Sequence, residues 1–166
     1  GVSSAGSKSP HTFLAGWSAA RAGAQAGTAI RIACRRETGL ANYSARADSP
    51  LLSGLKEKKT VSLDIRYDYS MNREGKPKIS QTVYFGYITT PENLKSGDDT
   101  GTFPTSFTVN ETTGSYTNIN HTASATLSGV SAPLRLSWRT VPETNWGANN
   151  NTCWLYIDNI RVKIKK

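Results

Sequence analysis

Little in this chain suits the commonest catalytic routes. Its 166 residues hold two cysteines, two histidines and one methionine. Two cysteines are too few for a disulfide-built scaffold or a zinc site of several thiolates. His11 and His121 are the whole histidine complement, and no Ser-His-Asp or Cys-His set can be assembled from sequence order. No Gly-rich phosphate loop or nucleotide fingerprint occurs, so no cofactor is required. No stretch approaches the roughly 18 apolar residues of a membrane span, and no membrane insertion is expected. Acidic side chains are scarce, 12 against 20 Lys and Arg, which gives a formal net charge of +8. Such an excess favours anionic partners in general. Here the cations are scattered over the chain, and their small clusters sit at turns or at the terminus. They read as solvated surface, and a nucleic-acid partner is not expected.

What the chain does have is alternation. Hydrophobic residues are 37% and charged residues 19%, with mean hydropathy −0.46. That composition fits one globular domain with room for a core. Residues 1–12 are small and polar and are expected to be flexible, and the domain is expected to span 13–166. The Ala-rich segment 18–27 holds Gly23 and Gly27 and has no apolar stripe, so it reads as a loop. From Thr28 onward the pattern is β. Val61, Leu63, Ile65, Tyr67 and Tyr69 alternate against Ser62, Asp64, Arg66 and Asp68. Further strands are expected over 79–90, 105–111, 121–130 and 132–141, separated by Gly-, Pro- and Asn-bearing turns. Seven or eight short strands with one buried and one wet face predict an all-β antiparallel sandwich or jelly roll.

The last strand is the most telling. Leu155 and Ile157 share one parity, whereas Ile160, Val162 and Ile164 share the other. A period of two tolerates that switch only if one extra residue is inserted, so a bulge is expected at Asp158-Asn159. The stretch CWLYIDNIRVK resembles the final strand of the galactose-binding-like jelly rolls, the fold of many carbohydrate-binding modules. The segment NYSARADSPLLSGLKEKKTVSLDIRYDY is similar to a middle segment of the same modules, in which the Ser49-Pro50 position opens a strand. The resemblance covers about residues 16–163. It implies non-catalytic polysaccharide binding by a bacterial module of a secreted, cell-surface or periplasmic protein, within a larger chain of several domains. It also implies that Asp158 occupies the family's acidic position beside a structural calcium. The acidic residue that normally precedes an aromatic near the N-terminus is missing before Trp17, and the alternative is that Asp158 caps the bulge. If first and last strands are neighbours, as in those modules, Cys34 and Cys153 are able to form a disulfide. The alternative is two free thiols.

Sugar binding needs flat rings for pyranose C–H groups and placed polar groups for hydroxyls. Trp146 lies in a polar loop with Asn145, Asn149 and Asn150, and is the first candidate; the alternative is that it folds back over the sandwich end. Trp154 and Tyr156 lie opposite Leu155 and Ile157, and Tyr84 lies opposite Phe85; the face these rings share is either a concave aromatic binding face or is itself covered. Arg139 and Arg66, on wet faces, suit a uronate or sulfate. Trp138 falls on the apolar parity and reads as core. Asp64 and Asp68 share a face but are roughly 13 Å apart at strand rise, too far for a glycosidase pair. The runner-up reading is a structural or adhesion sandwich without a sugar site. A small jelly-roll hydrolase or lyase comes third.

Overall fold

The computed structural model describes residues 11–12, 16–20, 22–25, 29–33, 45–55, 59–73, 81–89, 101–109, 121–140 and 153–165. Among them are the strands β1 (His11–Thr12), β2 (Ser18–Ala20), β3 (Ala22–Gln25), β4 (Ala29–Ala33), β5 (Ala45–Asp48) and β6 (Val61–Arg73). They continue with β7 (Gln81–Ile88), β8 (Thr102–Val109), β9 (His121–Val130), β10 (Arg135–Thr140) and β11 (Cys153–Lys165). One sheet, A, has the order β1-β2-β5-β10-β7-β8, and the other, B, has the order β3-β4-β11-β6-β9. Every described pairing is antiparallel. The chain is an all-β antiparallel sandwich.

Alternation explains the layering. Leu63, Ile65 and Tyr67 of β6 and Leu155 and Ile157 of β11 are buried against Val83, Phe85, Leu136 and Trp138 of sheet A. Trp138 is fully buried, as its parity predicts, at the hub of an aromatic cluster. Phe85 lies 5.1 Å from it and Tyr67 meets it edge-on at 5.5 Å. Trp17 stacks on its flank at 6.1 Å. Burial pushes the Tyr67 hydroxyl well above its ordinary value of 10.0. Thr140 Oγ1 donates to the Ala33 carbonyl at 2.7 Å and so ties sheet A to sheet B across the interior.

Several expectations need correction. The Ala-rich segment is not a loop: it contributes β2 and β3, and Ala22 is fully buried. Alanine hides its strand signal because both faces look alike. Among the described residues, His11 and Thr12 pair with Ala19 and Ser18. β6 runs on to Arg73, beyond the alternation read from Val61 to Tyr69. β8 includes Phe103 and Pro104, which had read as loop; it is an edge strand of sheet A, where a residue without an N–H is tolerated. Ser49-Pro50 follows a strand rather than opening one. The Ser49 N–H donates to the Leu136 carbonyl at 2.8 Å, and the Leu136 N–H donates to Ser49 Oγ at 2.9 Å.

The bulge in β11 is where the parity switch placed it. Asp158 faces Asp68 and Arg161 faces Arg66, so β11 advances three residues while β6 advances two. Asn159 takes up the excess with φ 51°, a left-handed conformation that Asn accepts better than most residues.

Candidate functional site

The ARAD sequence of β5 places Ala45 and Ala47 inward and Arg46 and Asp48 on the outer face of sheet A. Across β10, Arg139 lies opposite Arg46 and Ser137 opposite Asp48. On β7, Tyr84 lies opposite Arg139 and Gly86 opposite Ser137. Two rows result: Arg46–Arg139–Tyr84 and Asp48–Ser137–Gly86. At Gly86 the backbone of β8 folds close, and a Cβ there would sit 1.9 Å from the Thr102 carbonyl oxygen. This approach, with a register slip between Phe85 and Tyr87, carries Phe103 over the face. Its ring centroid is 5.6 Å from the guanidinium carbon of Arg46 and 5.6 Å from that of Arg139.

The polar groups beneath are buried and hydrogen-bonded to one another. Arg46 Nε donates to Asp48 Oδ1 at 2.9 Å, and Ser137 Oγ donates to the same oxygen at 2.6 Å. Asp48 and Ser137 are 0% exposed and Arg46 is 1% exposed. The outer face of β5 and β10 is therefore not wet, contrary to what alternation suggested. Asp48 Oδ2 finds no hydrogen-bond partner among the described residues. Burial pushes the Asp48 carboxyl above its ordinary value, against the opposing pull of Arg46 and Ser137. Arg135, expected at the surface, is buried; its Nη1 donates to the carbonyls of Gly16 at 2.8 Å and Ser49 at 3.0 Å. Tyr84, Phe103 and Arg139 are half-buried and form the accessible rim.

The predicted residues divide between two faces. Tyr84 and Arg139 come together on sheet A. Trp154 and Tyr156 lie on the outer face of sheet B, where the Arg31 guanidinium sits 4.8 Å from the Trp154 ring centroid. Trp154 is half-buried and Tyr156 only 5% exposed. Trp146, Asn145, Asn149 and Asn150 lie outside the described residues, as does Cys34. Arg46, Asp48 and Phe103 were missed in sequence. The available signal was the opposite charges two apart in Arg46-Ala47-Asp48, which must share a strand face.

Asp158 acts at the bulge. Its Oδ1 accepts the Asn159 N–H at 2.7 Å, while Asn159 Nδ2 donates to Asp68 Oδ2 at 3.0 Å. Thr122 Oγ1 donates to Asp68 Oδ1 at 2.8 Å. Hydrogen bonds from Thr122 and Asn159 hold the Asp68 carboxyl below its ordinary value. Asn159 thus bridges two carboxylates that face each other across strands. Among the described residues no three His, Cys, Asp or Glu side chains converge. Calcium needs six to eight oxygens. The described groups at Asp158 form a hydrogen-bond bridge rather than such a cage, and no role for calcium is derived from them.

No protein-family model matches the chain, and no curated protein matches it. Among solved structures, the chain is similar to one described as "CBM4 structure and function". The TM-score is 0.41 at 13% identity, over 89% of this chain and 77% of that one.

Proposed function

We propose that this domain is a non-catalytic glycan-binding module of galactose-binding-like jelly-roll type, from a secreted or cell-surface protein, and that it holds its ligand on the outer face of sheet A. One observation carries this reading: Tyr84, Arg139 and Phe103 form a half-buried rim on a rigid sheet, with Arg46 and Asp48 fixed beneath it. Rings of this kind stack on pyranose C–H faces, and planar guanidiniums grip carboxylate or sulfate oxygens in pairs. A uronate- or sulfate-bearing polysaccharide is therefore the preferred ligand class.

Among the described residues, the state of the acids supports a non-catalytic role. A glycosidase needs a carboxyl held protonated by a raised pKa beside an ionised one. Asp68 and Asp158 oppose each other, but Asp68 is held low and bridged by donors. Asp48 is raised, but its described charged neighbours are Arg46 and Arg135 rather than a second acid. The second reading, a structural or adhesion domain, draws on the near-complete burial of Asp48 and Ser137 on the same face.

Affinity electrophoresis on neutral and acidic polysaccharides tests the proposal. Wild type is expected to be retarded by an acidic glycan. Tyr84→Ala and Arg139→Ala should each weaken retardation about tenfold, the effect of losing roughly 1.4 kcal/mol of binding. Loss confined to Trp146→Ala would move the site to the 142–152 loop. No retardation by any glycan would leave the structural or adhesion reading.

A further inference from the structure

Among the described residues, the pairing of β11 with β4 covers Trp154 to Ile157, while β11 remains paired with β6 as far as Lys165. Among the described residues no strand lies on the far side of 161–165. A sheet edge of this kind offers a row of N–H and C=O groups that an added strand can complete.

The side chains along this edge are sorted by face. Val162 and Ile164 point to the core side, facing Ile65 and Leu63 in register. Yet they are 37% and 54% exposed, and Leu51 beside them is 39% exposed. With Leu52, Leu55 and Leu63 they line a cleft of about 370 Å³. A second cleft of about 390 Å³ shares Gly54, Leu55 and Ile164 with the first and reaches Lys59 and Lys165. On the opposite face Arg161, Lys163 and Lys165 are all exposed. Asp64 lies opposite Lys163, and its Oδ1 accepts from Thr126 at 2.8 Å.

We propose that this edge binds an extended segment of a partner protein in which apolar and acidic residues alternate, as an added strand of sheet B. One set of alternate side chains fills the leucine-lined cleft, and the other meets Arg161, Lys163 and Lys165. Charge decides between occupants. A second copy of β11 would set Lys and Arg against Lys and Arg, and like charges directly opposite are destabilising. An acidic strand turns the same contacts favourable. Six residues of strand span roughly 20 Å, enough to cover the edge. This inference is independent of the sugar site, which lies on the other sheet.

The test is an amide-shift titration of the ¹⁵N-labelled chain with a capped Val-Glu-Val-Glu-Val-Glu peptide, and with its Lys-for-Glu counterpart. The Glu peptide should shift amides in 160–165 and 51–55 and slow their hydrogen exchange, at least about tenfold more tightly than the Lys peptide. Raising salt from about 50 to about 500 mM should weaken it severalfold. The doubly charge-reversed variant Lys163→Glu/Lys165→Glu, altered only at exposed positions, should reverse the preference. Three results would overturn the proposal: no shifts at these amides, equal response to both peptides, or edge shifts that grow with protein concentration alone, which would give the edge to a second copy.

Discussion

Two aspartates show how position sets the sign of a residue's contribution. Asp68, at the surface of sheet B, is held below its ordinary value of 3.8 by its hydrogen bonds to Thr122 and Asn159. Its contribution to stability is present above that value and is lost as the pH falls through the lower native one. Asp48, buried in sheet A, is raised above 3.8, so the native state holds its proton more tightly than the unfolded chain does. Stability therefore declines as the pH rises through the Asp48 transition. Thermal unfolding of Asp68→Asn and Asp48→Asn between about pH 2 and pH 6 should separate them. Wild type should exceed Asp68→Asn by a margin that shrinks toward acid. Against Asp48→Asn, wild type should lose ground as the pH rises. A parallel shift of all three curves would remove both assignments. Neither sign was legible in the sequence. Asp48 and Asp68 each alternate with inward-facing residues in their strands, and only the burial of sheet A's outer face distinguishes them.

At the level of elements, legibility followed contrast. β6, β7, β10 and β11 announce themselves because large apolar residues alternate with polar ones, and the bulge announces itself as a break in that count. β2 and β3 do not, because Ala and Gly give no contrast between faces. Pairing partners were mostly hidden, since a strand's neighbour is chosen by contacts far away in sequence. β4 and β11 are a case with a consequence. β4 pairs with β11, with Trp154 opposite Ala33. Cys153 precedes Trp154, and Cys34 follows Ala33 in sequence, outside the described residues. The Cys34–Cys153 bridge is proposed on the resemblance to modules whose first and last strands are neighbours. Non-reducing peptide mapping of protein prepared under oxidising conditions should recover the linked peptides. In the chain-entropy account so long a loop gives roughly 4–5 kcal/mol, so reduction should lower the melting temperature markedly. Two titratable thiols with an unchanged melting temperature would rule the bridge out.

Taken whole, the molecule divides its surface. Sheet A carries the ring-and-guanidinium rim of the proposed glycan site, and sheet B carries the bridged aspartates, the Arg31–Trp154 pair and the open edge. The net charge of +8 serves both proposed ligands, since an acidic polysaccharide and an acidic peptide are each drawn to it. The overall sandwich was legible because period-two patterning over most of the chain leaves few other architectures. Where the faces acquire function was not, because that depends on which strands lie side by side. Asn159 can also be viewed as a crystallographer views a dislocation, a single extra unit in an otherwise periodic lattice. Remove it and the lattice closes up: Ile160 would fall opposite Tyr67, and Arg161 and all that follow would keep their present neighbours on β6. The deletion should therefore preserve the fold while leaving Asp68 and Asp158 to repel each other unbridged. It should also straighten the strand and flatten the open edge, which makes stacking with other molecules easier. The deletion variant should keep a native circular-dichroism spectrum, and light scattering should show it aggregating faster than wild type. The irregularity is then the element that keeps an otherwise regular lattice from growing.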